Sequence, residues 1–240
     1  MKKIIAAAAV AMSLLPVFSQ NVSAYYTFDD EYDDSGEITS VIDHSGNSLD
    51  ADTGCLDGSE FDDGYEWQGL VFNGTDEFVM LDKSLLSGKG FTFCAWICPQ
   101  EWRAWMRVLD IGNQIEDLWI GMDGETGKLR MDVVGQKLGK NGVKVLAPLP
   151  EAEEWTHIAA TIDGKAAKLY VNGKLMQRIP CPITPAMLQK NVQGLFVGAS
   201  NWGSDPLFNG IMDNVFVADR ALSASEISSI FKGVKNPEIK

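Results

Sequence analysis

The chain has 240 residues and a formal charge of −13, with 33 Asp and Glu against 20 Lys and Arg. An acid excess of this size argues against nucleic acid and anionic membrane surfaces as partners, and is compatible with divalent cations and neutral sugars. With 45% hydrophobic residues, the chain is long enough for one large β domain or two small ones.

The first residues, MKKIIAAAAVAMSLLPVF, join a basic start at Lys2 and Lys3 to an apolar run too short to cross a bilayer comfortably. Val22 and Ala24 in NVSA take the small-residue positions of a cleavage site. The pattern predicts a secretory signal peptide over residues 1–24, with an uncleaved anchor as the alternative. Cleavage after Ala24 leaves 216 of the 240 residues and takes the charge from −13 to −15, because Lys2 and Lys3 go with it. No later stretch is apolar enough to span a membrane. The expected location is secreted, periplasmic or at the cell surface.

Strand patterns then recur to the end of the chain. AYYTFDD comes first, followed from Asp43 to Glu66 by an Asp-, Gly- and Ser-rich stretch that reads as an acidic, solvated loop. GLVFNGTDEFVML carries two strand halves around Asn73-Gly74, and FTFCAWI, MRVLDIG, LWIGMD, KLRMDVVG and VKVLAPL follow. WTHIAATIDG and AAKLYVNGKLMQRI form a hairpin pattern turning near Asp163-Gly164, with a further turn at Asn172-Gly173. GLFVGAS and GIMDNVFVA complete the series. One short helix is expected in SEISSIFKG, opened by a Ser223/Glu226 capping box and closed by Gly233. No linker divides the chain, so residues 25–233 read as a single all-β sandwich and residues 234–240 as a flexible tail.

Four cysteines, Cys55, Cys94, Cys98 and Cys181, stand in a chain expected to be exported, where disulfides are permitted. If FTFCAWICP is one extended strand, Cys94 and Cys98 are roughly 13 Å apart, beyond disulfide reach. Two pairings remain, each joining Cys55 and Cys181 to Cys94 and Cys98; four free thiols are the alternative.

In FNGIMDNVFVA, strict alternation puts Ile211, Val215 and Val217 on one face with Asp213 among them, and Met212, Asn214 and Phe216 on the other. A carboxylate on an aliphatic face must be exposed, protonated, hydrogen-bonded or bound to a cation. The two histidines, His44 and His157, form no HExxH pair, and there is no G-x-S-x-G elbow or phosphate-binding glycine loop.

The ordered set YYTFDD, DHSGN, GLVFNGTDEFVML, FTFCAWICP, EEWTHIAATIDG, KLYVNGK, LFVGAS and FNGIMDNVFVADRALSASEI resembles the laminin G-like branch of the concanavalin A-like lectin/glucanase superfamily. The resemblance implies a jelly-roll sandwich of two large antiparallel sheets. It also implies a structural calcium where the first strand, the SGN turn and the last strand meet, with Asp29 and Asp213 as carboxylate ligands, Asp43 as a further one and Asn47 offering a carbonyl. Glycanases of this fold use paired carboxylates in a Glu-x-Asp-x-x-Glu type of motif. Neither IEDLWIGMDGE, with Glu116 and Asp117 on opposite faces, nor GTDEFVMLD has that spacing.

Sugar recognition needs exposed aromatic rings beside polar groups. Trp102 and Trp105, flanked by Arg103 and Arg107, and Trp202 in a Gly/Asn/Asp-rich loop fit that need, whereas Trp96, Trp119 and Trp155 sit inside strand patterns and read as core. The expectation is a secreted, non-catalytic, calcium-stabilised module that binds a glycan or cell-surface polysaccharide. An adhesion or assembly module binding another extracellular protein, and a divergent glycoside hydrolase, are the alternatives.

Overall fold

The computed structural model describes residues 22–30, 37–57, 61–135, 138 and 142–233. The apolar run of the expected signal peptide and the expected tail lie outside the described residues.

Two antiparallel sheets of eight strands each carry the fold. The strands, in chain order, are β1 (Ala24–Tyr26), β2 (Glu37–Val41), β3 (Ala51–Asp57), β4 (Phe61–Asp63), β5 (Gln68–Asn73), β6 (Phe78–Met80), β7 (Phe91–Pro99) and β8 (Arg107–Gly112). They continue as β9 (Leu118–Met122), β10 (Leu129–Val133), β11 (Val143–Ala147), β12 (Thr156–Ile162), β13 (Ala166–Val171), β14 (Lys174–Pro180), β15 (Gly194–Val197) and β16 (Asn209–Ala218). Sheet I runs β14-β13-β12-β7-β16-β5-β4, with β1 also paired to β16; sheet II runs β11-β10-β9-β8-β15-β6-β3-β2. Among the described residues there are two α-helices, α1 (Pro185–Gln189) and α2 (Ala224–Gly233).

The core lies between the sheets and follows from period-2 alternation. Phe93, Ala95 and Ile97 of β7 point inward from sheet I, and Ile111, Ile120, Met131 and Val145 point inward from sheet II. Each large side chain buried this way contributes about 1.5–3 kcal/mol.

A second apolar layer covers the outer face of sheet I. Helix α2 sets Ile227 and Ile230 against Cys94, Ala159, Tyr170 and Phe216. Its start is the expected capping box: Glu226 accepts from the Ser223 N–H (2.8 Å), and the Glu226 N–H donates to Ser223 Oγ (3.3 Å). Arg220 adds an ion pair at 2.7 Å and, with the Ser223 bonds, holds the Glu226 carboxyl down to about 2.

The structure departs from the sequence expectations at several points. The stretch from Asp43 to Glu66 forms β3 and β4, because β6 and β2 pair with β3 and β5 pairs with β4 despite the polar composition. Helix α1 was not anticipated; at five residues it is too short to show a period. The four cysteines are free thiols. Cys94 is buried in the outer layer of sheet I, Cys181 belongs to the inter-sheet core, and Cys55 is exposed on sheet II, so they lie in separate environments.

The phase of β16 is also corrected. Asp213 is paired with Trp96 and Phe216 with Cys94, so two residues, Asn214 and Val215, oppose the single Ala95. This bulge, with Asn214 at φ +51°, resets the alternation. Met212, Val215 and Val217 face the core, while Asp213 lies with Trp96 on the outer face.

On that face His157 is 1% exposed, between the rings of Trp96 (5.4 Å) and Phe231 (5.8 Å). Neither imidazole nitrogen has a hydrogen-bond partner among the described residues. Burial pushes this histidine down to about 3. A group whose folded value is depressed below its unfolded value of about 6.5 keeps the native state stable above that pH and costs stability as pH falls toward 3, by up to about 1.4 kcal/mol per pH unit. Replacing His157 by Phe is therefore expected to flatten the loss of melting temperature between pH 6.5 and 4 relative to wild type. Parallel curves for the two proteins would show that His157 does not carry this slope.

Candidate functional site

The outer face of sheet II is polar. Strands β9 and β10 alternate aliphatic residues toward the core with Trp119, Arg130 and Asp132 on the other side, and in β8 a register shift between Arg107 and Leu109 brings Arg107 and Asp110 to that side too. Asp110, Trp119 and Asp132 stand in one cross-strand row, and Arg107 and Arg130 flank Gly121 in the next. Gly121 is required there, since a Cβ would lie 2.1 Å from the Met106 carbonyl oxygen.

Both guanidinium groups lie over the Trp119 ring, at 3.8 Å for Arg107 and 4.8 Å for Arg130. Arg107 pairs with Asp205 at 2.8 Å and Asp110 at 3.5 Å; Arg130 pairs with Asp123 at 3.2 Å and with Asp132. Loops bury this network although it sits outside the sandwich: Asp110 is 0% and Arg107 4% exposed. Burial lifts Asp110 to about 6, against hydrogen bonds from Asn201 and Ser200.

The loop after β15 seals the network and presents an indole. Ser200 Oγ donates to Asp110 (3.0 Å) and Asn201 Nδ2 to the other Asp110 oxygen (2.8 Å). The Trp202 N–H then donates to Ser200 Oγ, and Trp202 Nε1 to Asp117 at 3.3 Å. Asp117 itself is oriented by the Asn113 and Gln114 N–H groups. The Trp202 ring remains 43% exposed. Trp105, at φ +70°, packs edge-on to Trp119 at 6.3 Å.

Of the three tryptophans singled out in the sequence, Trp105 and Trp202 thus share one network through Arg107. Trp102 is elsewhere: its Nε1 donates to the Pro150 carbonyl (2.8 Å), and its ring meets Phe208 beside the inter-sheet core. Trp119, expected in the core, is buried on the outer face. The alternating Arg130 and Asp132 of LRMDV could have marked part of this polar row, whereas Arg107 and Asp110 of RVLDIG, three apart, share it only through the register shift in β8.

The expected calcium ligands also separate. Asp43 accepts from the Tyr25, Ser45 and Leu49 N–H groups and from Ser45 Oγ. Asn47 Nδ2 donates to the carbonyls of Val22 (2.9 Å) and Ser23 (3.1 Å). These two residues fasten the N-terminal strand. Asp29 and Asp213 lie instead where β16 changes partner, with Glu66, which the sequence did not single out. The Gln68 N–H donates to Asp29 (3.0 Å) and the Glu66 N–H to Asp213 (2.8 Å).

Asp213 is 0% exposed, and its Oδ1 and the neighbouring Asn214 Nδ2 are buried without a partner among the described residues. Burial, then the other carboxylates, holds Asp213 well above the usual range; burial lifts Asp29 to about 6, and burial plus Asp29 lifts Glu66 to about 7. Among the described residues no three His, Cys, Asp or Glu side chains are placed to cage a metal ion by themselves.

A laminin G family model, described as the concanavalin A-like lectin/glucanases superfamily, matches residues 73–228. No curated protein sequence matches the chain. Among solved structures, domain 4 of AbnA, a GH43 extracellular arabinanase from Geobacillus stearothermophilus, in complex with arabinotriose, is similar at 20% identity and TM-score 0.66, over 87% of this chain and 97% of that one. The receptor binding domain of botulinum neurotoxin mosaic serotype C/D is similar at 12% identity and TM-score 0.66, over 90% and 51%. A Trypanosoma rangeli sialidase in complex with a difluoro-nononic acid is similar at 17% identity and TM-score 0.61, over 88% and 32%. The chain therefore spans nearly all of the arabinanase domain, about half of the toxin domain and a third of the sialidase. At these identities the likeness is one of fold.

The carboxylates at the β16 junction generate a signed prediction for metal-free protein. Acids whose folded values are raised stabilise the native state in acid, and that contribution is lost as pH rises through about 6 for Asp29 and about 7 for Glu66. In chelator, Glu66→Gln is expected to lessen the fall in melting temperature between pH 5 and 8. Identical slopes in wild type and variant would mean that Glu66 titrates as it does in the unfolded chain.

Proposed function

The chain belongs to the concanavalin A-like lectin/glucanase superfamily, and from that premise we propose that it is an exported, non-catalytic carbohydrate-binding module stabilised by calcium. The observation that carries the reading is Trp202. Its half-exposed indole is fixed by Asp117 and Ser200 at the rim of a rigid polar face, with the Gln114 side chain bonded to the Asn201 carbonyl beside it. A flat apolar ring among hydrogen-bonding groups suits stacking on a sugar, and pre-ordering lowers the entropic cost of binding. The arabinotriose bound to the similar arabinanase domain supports a glycan as ligand.

Binding is favoured over hydrolysis because Asp110, Asp123 and Asp132 are buried and ion-paired to arginines, out of reach of a glycosidic oxygen. Export is supported by the N-terminal sequence; among the described residues no helix is long and apolar enough to cross a membrane.

Calcium fits the β16 junction in one respect: the buried Asp213 Oδ1 lacks a partner among the described residues, and Asp29 and Glu66 bring further negative charge. Asp29, Asp213 and Glu66 would hold the ion, with backbone carbonyls and water completing its shell. The ion would neutralise the carboxylates and tie the first strand to the last.

Two measurements test this reading. On an array of neutral and sialylated oligosaccharides that includes arabinotriose, Trp202→Ala is expected to weaken binding about tenfold while leaving the melting temperature unchanged. Full retention by the variant, or release of reducing sugar by the wild type, would overturn the proposal. At calcium a hundredfold above its dissociation constant, the wild-type melting temperature is expected to rise by roughly 5–10 °C over that in EGTA, and Asp213→Asn to lose most of the rise. Coincident wild-type curves would remove calcium from the account.

A further inference from the structure

On sheet I, β4 and β5 are joined by Gly64, Tyr65, Glu66 and Trp67. The Gly64 N–H donates to the Trp67 carbonyl at 3.1 Å, closing the turn. Trp67 sits at φ +58°, the left-handed region where a bulky side chain is an outlier and the strain costs about 1–3 kcal/mol. Nothing in the interior repays that cost, since the ring is 55% exposed, more than Trp202. The conformation is nevertheless locked from both sides. The N–H of Glu66 is held by Asp213 and the N–H of Gln68 by Asp29, while Tyr65, two residues before Trp67, stacks on Trp96 at 3.4 Å.

We propose that Trp67 is a second sugar-stacking platform, on the opposite sheet from Trp202, for the ring of a neutral glycan. A strained backbone that displays a large apolar ring to solvent, pinned by two carboxylates, serves recognition better than stability. The ligand class follows from the surroundings. The exposed Asp62 and Asp63 lie on the paired strand, Asp63 directly opposite Gln68. These are acceptors for sugar hydroxyls, and they repel sialylated or sulfated glycans. No aromatic pair among the described residues includes Trp67, so it offers one flat face and not the cage that would enclose a cationic group. Two platforms on separate sheets let one domain engage a polysaccharide at two points or bridge two chains, raising avidity beyond that of either contact.

The inference deepens the carbohydrate-binding reading and rests on it, and the test separates the two. Wild type, Trp67→Gly, Trp67→Phe and Trp202→Ala are applied to an array of neutral pentose and hexose oligosaccharides, sialylated oligosaccharides and a Lys/Arg-rich peptide. On the neutral glycans that the wild type retains, Trp67→Gly is expected to bind about tenfold more weakly and Trp67→Phe to recover most of the loss. Because glycine relieves the left-handed strain, Trp67→Gly should melt at or above the wild-type temperature, which a packing role would not allow. Unchanged glycan binding by Trp67→Gly alongside loss in Trp202→Ala overturns the second platform and leaves the Trp202 site standing. Loss in Trp67→Gly with none in Trp202→Ala does the reverse. Retention of no neutral glycan, or of the basic peptide alone, overturns both.

Discussion

Strand β16 must satisfy a long neighbour on one edge and two short ones on the other. Along one side it pairs with β7 from Gly210 to Ala218; along the other it meets β5 only through Met212 and β1 only from Val215. Between those partners its backbone would be stranded inside the protein, which is costly for polar groups. The chain answers with a bulge, a left-handed Asn214 and a carboxylate that reaches across to the Glu66 N–H. Phe28 at φ +59° and Trp67 at φ +58° are further left-handed residues beside the junction, one where β1 is leaving and one where β5 is about to begin. Strain and buried charge thus concentrate where the two edges of the sheet have to be reconciled.

The outer face of sheet II poses a different problem, charge that is buried and ion-paired. Arg107 and Arg130 share the Trp119 face, and each is answered by two aspartates. Removing charges from water on this scale adds little net stability. Its effect here is geometric: Asp110 and Asp205 orient Ser200, and Ser200 orients the Trp202 backbone. A rigid network under a half-exposed ring reduces the freedom that a ligand would otherwise have to remove.

How much of this was legible in the sequence depended on how local the signal was. Turns at Asp163-Gly164 and Asn172-Gly173, the capping box at Ser223 and the long strand around Cys94 are local patterns, and they appear where the sequence places them. The bulge at Asn214 is not local. It exists because β5 and β1 share an edge of β16, a fact no window around Asp213 contains, so strict alternation put the aspartate on the wrong face. Strands β3 and β4 were hidden for the same reason, their polar residues being recruited by pairing partners elsewhere in the chain. Asp43 and Asn47 lie in the turn beside β1, where residue type alone does not say whether a carboxylate serves backbone N–H groups, a cation or both. Trp119 shows the limit of reading burial as core: it is 5% exposed, yet it lies outside the sandwich beneath two arginines.

The position of β16 also has a kinetic consequence. It is the last of the described strands, yet it occupies the middle of sheet I, and Tyr25 finds its partner in Phe216. A chain emerging N-terminus first can assemble hairpins such as β12–β13, but it cannot join β7 to β5 and β1 until β16 arrives. Such high contact order slows folding and makes it cooperative, because the entropy of closing so long a loop is lost before the central contacts form. Until then the incomplete sheet leaves open edges on β7, β5 and β1, and its productive course depends on β16 arriving before another chain pairs with them.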